Sequence, residues 1–186
     1  MIKKQTIEKF LDEVSSKAPT PGGGAVAALA GSLAAGLVGK VARLTKDNPE
    51  VSKIAEKADK LRSELLELSD KDCQVYDEVA KAYRLPKESQ IRKEKIQEAL
   101  KNAAEVPMET AKKSFEVLKL ACFVARDGNQ NAASDARCAI ELATAAIYGA
   151  LENVRINLAL IKDEKFSENL RGEMEKVLSE KALKAG

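Results

Sequence analysis

The twenty residues from Ala25 to Leu44 contain no acidic side chain and only two basic ones, Lys40 and Arg43. Alanine, valine, leucine and glycine would cover most sides of a helix formed here, so that helix needs apolar neighbours almost all round. The uncharged part, Ala25 to Gly39, is too short and too rich in Gly and Ala to suggest a bilayer span. What is left is a place at the centre of a bundle of other helices.

The rest of the chain supplies those helices. Ile7, Phe10, Leu11 and Val14 mark a short amphipathic one with Thr6 as its N-cap. A loop from Ser16 to Gly24 carries Pro19 and Pro21. Asn48-Pro49 breaks the chain, and a long helix is expected from about Glu50 to Tyr83. Leu85-Pro86 ends it, because a residue before proline avoids the helical region. A helix is expected over about Ser89 to Ala104, and Pro107 starts or kinks the next, which continues to about Arg126. Gly128-Asn129 reads as a turn, followed by helices over about Ala132 to Ile161 and Ser167 to Leu183. No strand-like alternation of useful length occurs, so the predicted fold is an all-α helical bundle forming a single domain over 1–186.

Charge and composition narrow the function. A net charge of +2, no clustered basic stripe, 4% aromatics and no Trp argue against a nucleic-acid binder. Met1–Lys9 holds no apolar run, so neither a secretory leader nor a membrane partner is expected. Cys73, Cys122 and Cys138 are odd in number and widely spaced, which suggests reduced, buried thiols and a cytoplasmic location. The chain has no histidine. Histidine-based triads, Cys-His dyads and the usual His-containing zinc sites are therefore excluded, and Asp, Glu, Lys, Tyr or Cys must move any proton.

Three places could carry chemistry. Pro21, Gly22, Gly23 and Gly24 open the central helix, where bare backbone N–H groups could hold an anion or a polarised carbonyl, or simply form a tight turn. A valine at Gly23 is expected to weaken ligand binding there. Asp72 is the only charge on the stripe Leu61, Leu65, Leu68, Asp72, Val75, Val79 and Tyr83, whereas Asp70, about 200° round the helix, should face solvent. Asp72 could be a proton-transfer group or half of a structural ion pair, with Lys87 or Arg92 as a nearby cation. Asn129, Ser134 and Asp135 lie near a helix start, and Asn153 and Asn157 stand one turn apart further along. These could bind a polar heterocycle, or cap and tie helices.

Taken together, these segments resemble the formiminotetrahydrofolate cyclodeaminase and methenyltetrahydrofolate cyclohydrolase family. The resemblance rests on Pro19-Thr20-Pro21-Gly22-Gly23-Gly24-Ala25-Val26-Ala27-Ala28, on Asp72 ahead of Ala82-Tyr83-Arg84-Leu85-Pro86-Lys87, and on Arg92 with Ile96–Leu100. Val106-Pro107, Gly128-Asn129, Ser134-Asp135 and Asn153–Asn157 extend it. It implies an enzyme that converts 5-formiminotetrahydrofolate to 5,10-methenyltetrahydrofolate with release of ammonia, using no metal and no redox cofactor. Its runner-up is the cyclohydrolase, and a helical interaction module is the reading from another class. Asp72 would be the catalytic acid/base, with Pro21, Gly22, Gly23, Gly24, Lys87, Asn129, Ser134, Asp135, Asn153 and Asn157 binding the folate.

The central helix also carries the small-residue row Ala27, Gly31, Ala35 and Gly39, with Ala28, Ser32 and Gly36 beside it. Such rows let another helix approach closely. The expectation drawn from them is a homodimer seam, with an intrachain contact as the alternative.

Overall fold

The computed structural model describes residues 1–46 and 48–182. Six α-helices form a bundle, and no strand occurs among the described residues. They are α1 (Ile7–Ser15), α2 (Gly23–Leu44), α3 (Pro49–Arg84), α4 (Arg92–Asp127), α5 (Ala133–Leu158) and α6 (Glu164–Ala182). Short 3-10 turns cover Ile2–Lys4 and Gln130–Ala132.

Local chemistry sets the ends. Thr6 caps α1 by accepting from the Lys9 N–H at 3.2 Å. Asn48 caps α3 by accepting from Glu50 and Val51, and Pro49 fills the first position, where a missing N–H does no harm. The expected division between Ala104 and Pro107 does not exist. Instead, α4 runs unbroken through Pro107. Leu183, placed at the end of the last helix, lies outside the described residues.

α2 is the centre, packed against α3, α4 and α5. By length and composition it could cross a bilayer, but 61% of its most apolar window is buried inside the protein. Ala25, Ala28, Ala34, Val38, Val41 and Ala42 are wholly enclosed.

The small-residue row of α2 is packed within the chain, the intrachain alternative to the seam. A Cβ built on Gly31 would lie 2.6 Å from Ser114 Oγ and 3.3 Å from the Leu65 methyls. Ser32 Oγ donates to the Arg62 carbonyl at 2.8 Å. The row lets α3 and α4 close onto α2, because two long helices need room that larger side chains would fill. Gly31→Leu should therefore lower unfolding free energy by about 1–3 kcal/mol through overpacking. Urea denaturation will show this at any protein concentration. A loss of association without a loss of stability would contradict it.

The cysteines are not uniformly buried, contrary to expectation: Cys138 is exposed, and Cys73 and Cys122 are half-buried. Burial pushes the Cys73 thiol up to about 11, helped by the carboxylates of Asp72, Asp70 and Asp77. That keeps Cys73 out of thiolate chemistry at neutral pH.

Candidate active site

The glycine loop, α3, the N-terminal third of α4 and the C-terminal half of α5 surround a cavity of about 350 Å³. Asp72, Tyr76, Asn153 and Asn157 are its main polar side chains, and Gly22, Gly23 and Gly24 form its rim. Among the described residues, no Lys or Arg lines it.

Asp72 sits at the start of α2. The Ala25 N–H, one of the groups a helix start leaves without an internal partner, bonds to its carboxylate. Gly22, at the N-cap, offers no side chain for that purpose. A carboxylate on another helix thus caps α2. Gly24 makes the approach possible, since a Cβ there would stand 2.7 Å from Asp72 Cγ and 2.9 Å from Oδ2. Gly23 is exposed, and a Cβ on it would meet Asn153 Nδ2 at an ordinary 3.5 Å. The glycine that a side chain would damage most is therefore Gly24.

Burial pushes the Asp72 carboxyl up from 3.8 to about 6, and the bond from Ala25 opposes that only in part. The cations proposed from sequence do not reach it. Lys87 is exposed in the turn after α3. Arg92 donates instead to the Leu85 and Tyr83 carbonyls, at 3.0 Å and 3.1 Å. Desolvation decides the matter, as expected where no opposite charge stands close.

Asp70 is not the solvent-facing group that its position on the helix suggested. It is 5% exposed and accepts the Ile2 N–H. The Ile2–Lys4 turn lies across this back face of α3, fastened also by Lys3 to Glu67. Asp70 and Pro21 line a separate hollow with Cys73, so Pro21 shapes the loop without facing Asp72. Tyr83, expected on the buried stripe, is 47% exposed because it falls in the last turn of α3.

Asn153 and Asn157 reach the cavity from α5. Asn129, Ser134 and Asp135 do not. Sixteen residues of α2, about 24 Å of helix, separate Gly24 from Lys40, and Lys40 pairs with Asp135 at 2.7 Å. Asn129 ties the end of α2 to the next turn, donating to the Leu44 carbonyl at 2.8 Å and receiving the Asn131 N–H at 3.0 Å. Ser134 is exposed in the first turn of α5 and caps nothing. Sequence reasoning missed Tyr76, although its place one turn after Asp72 puts it on the same face. It also missed Leu100, Ala103, Ile156 and Leu160, which look like ordinary core positions.

A family model for formiminotransferase-cyclodeaminase matches residues 6–176. This chain belongs to that family. A methenyltetrahydrofolate cyclohydrolase from Methylorubrum extorquens is 39% identical, covering 97% of this chain and 92% of that protein. A formimidoyltransferase-cyclodeaminase from Gallus gallus is 32% identical over 84% of this chain, but the match spans only 31% of that longer protein. Among solved structures, the formiminotetrahydrofolate cyclodeaminase from Thermotoga maritima superposes with a TM-score of 0.88 at 33% identity, covering 96% of this chain and 91% of that one. The family is therefore one of folate one-carbon enzymes, and the relatives' names divide between two reactions at the same carbon.

Proposed function

We propose that the protein converts 5-formiminotetrahydrofolate to 5,10-methenyltetrahydrofolate and ammonia, with Asp72 as the proton-transfer group. The observation that carries this reading is Asp72 itself: a carboxylate brought to about 6 by burial, held at a helix start in a cavity without cations. General catalysis is most effective when the group titrates near the working pH. The step begins with Asp72 ionised. Folate N10 attacks the formimidinium carbon, forming the N10–C bond, and its proton passes to Asp72. Asp72 returns that proton to the amino group, the C–N bond breaks, and neutral ammonia leaves. The conversion is redox-neutral and is proposed to need neither metal nor redox cofactor. An odd number of widely spaced cysteines supports a cytoplasmic setting.

The cyclohydrolase reading is favoured by the 39% identical relative from Methylorubrum extorquens, which matches along nearly its whole length. In that case Asp72 would take a proton from water attacking the methenyl carbon. Purified protein offered each folate, with methenyltetrahydrofolate absorbance and ammonia followed together, separates the two. Rapid ammonia release is expected. Methenyl hydrolysis alone would replace the proposed reaction with the second.

We further propose a homodimer, formed not through the buried glycine row but through the opposite side of α2 and the adjoining face of α5. Leu33 and Ile156 stand 56% and 67% exposed there, with Leu160 and Val26 also uncovered. An apolar patch of this kind marks a contact surface. Ile156 and Leu160 belong to the cavity wall as well. Leu33→Glu should convert a sedimenting dimer to monomer at micromolar concentration. A wild-type monomer under those conditions rules the dimer out.

A further inference from the structure

Pro107 interrupts the hydrogen bonding of α4 without breaking the helix. Having no N–H, it cannot bond the carbonyl four residues earlier, that of Ala103, and its ring crowds that carbonyl outward. Ala103 lines the cavity, and its free carbonyl is taken by Asn157 Nδ2 from α5 at 2.8 Å. The other proton of the same nitrogen goes to the Asn153 carbonyl at 3.0 Å. Only an amide nitrogen can bond two carbonyl oxygens, so the Asn157 amide has a single possible orientation, and both its N–H groups are used. Asn153 is fixed likewise, through Nδ2 to the Gly149 carbonyl at 2.8 Å. Among the described residues, no protein donor is recorded at either Oδ1. This wall of the cavity can therefore take hydrogen bonds from Asn157 only as an acceptor.

The glycine rim has the opposite character, with the backbone N–H groups of a helix start at which the Asp72 carboxylate engages only that of Ala25. A ligand matching both needs an oxygen acceptor next to a row of N–H donors. The 2-amino-4-oxopyrimidine ring of a tetrahydropterin has that pattern along one edge: O4, N3–H and the exocyclic amino group.

We propose that Pro107 is a positioning residue, which by freeing the Ala103 carbonyl locks Asn157 as an acceptor and selects ligands that present the amino-pyrimidinone donor edge. This rests on the folate reading above and assigns which edge of the ring the site reads. O4 faces the glycine rim, and the N3–H and 2-amino groups face Asn153 and Asn157. N5 is next to O4 across the ring junction, so this orientation sets the reacting carbon on the Asp72 side.

The test is calorimetric binding of tetrahydrofolate, of its 2-desamino-2-methyl analogue and of the 8-deaza analogue. The wild type should prefer tetrahydrofolate over the 2-desamino-2-methyl analogue by about tenfold or more, because the analogue covers a part-buried acceptor without giving it a donor. The 8-deaza analogue should bind within about twofold of tetrahydrofolate, because the edge it alters is not read. Pro107→Ala, and Pro107→Val with more of proline's volume, restore the missing N–H. In either variant the preference should fall at least about threefold while helix content stays unchanged. A purely structural proline would alter affinity for all three ligands alike and leave their ratios fixed. Equal wild-type binding of tetrahydrofolate and the 2-desamino-2-methyl analogue overturns the assigned edge. Undiminished preference in the proline variants overturns the role of Pro107. Failure of all three ligands to bind instead removes the folate reading itself.

Discussion

Asp72→Asn will lower kcat by about 10²–10⁴-fold, the usual worth of a positioned proton-transfer group, while making the folded protein more stable above pH 6. Both effects follow from the same burial. The carboxyl titrates at 3.8 when exposed and at about 6 in the fold, so the fold disfavours its charged form. Below pH 3.8 the group is neutral in both states and no penalty exists. As pH rises through 6 the folded protein must accommodate the charge, and that stability is lost. About two pH units correspond to a few kcal/mol at most, with solvent at the cavity mouth reducing the figure. The neutral amide escapes the penalty. Melting temperatures of the variant and wild type should therefore converge near pH 4 and separate by pH 8. In the wild type, kcat/KM should fall as pH drops below about 6, because the cycle begins with the carboxylate. A variant with near-normal turnover, or one less stable at pH 8, would remove Asp72 from its role.

Gly24→Val will cost at least about 100-fold in activity, whereas Gly23→Ala will leave turnover within a few-fold of wild type. The two neighbours differ in what a side chain would meet. At Gly24 it enters the space of the Asp72 carboxyl group, and at Gly23 it touches only Asn153 Nδ2 at 3.5 Å. The valine must push Asp72 off the Ala25 N–H or spread α2 from α3. A displacement of about 1 Å at a reacting group is enough for a loss of this size. Circular dichroism should show both variants helical. Equal losses at the two glycines would mean that the loop acts through its flexibility and not through the approach of Asp72.

The helical frame was legible because the apolar residues recur at helical spacing and because Asn48-Pro49 and Leu85-Pro86 punctuate it. Asp72 was legible as the single charge on an apolar stripe, and the glycine run was legible as bare backbone at a helix start. What remained hidden depended on parts of the chain far away in sequence. Helix geometry placed Asp70 opposite the core stripe, but the Ile2–Lys4 turn covers that opposite face. Pro107 read as a break because periodicity does not reveal that Asn157, fifty residues on, takes up the carbonyl that proline leaves free. Asn129, Ser134 and Asp135 looked like part of the site because they lie near a helix start and fit the family resemblance, but α2 spans the molecule and holds them at its other end. The small-residue row revealed close packing correctly. It did not reveal that α3 and α4 of the same chain would occupy the groove.

The cavity is walled by α3 and α4, each an unbroken run of 36 residues, and by α5, with irregular backbone only in the glycine loop and at Leu160 just beyond α5. Rods of that length order their side chains when the chain folds, so little remains to be ordered when a ligand arrives. Association should accordingly look like a simple collision. Observed binding rates would climb in proportion to folate concentration in rapid mixing, without the plateau that a slow closing step imposes. Discrimination between water and N10 as nucleophile then falls to a few side chains on a frame that does not move.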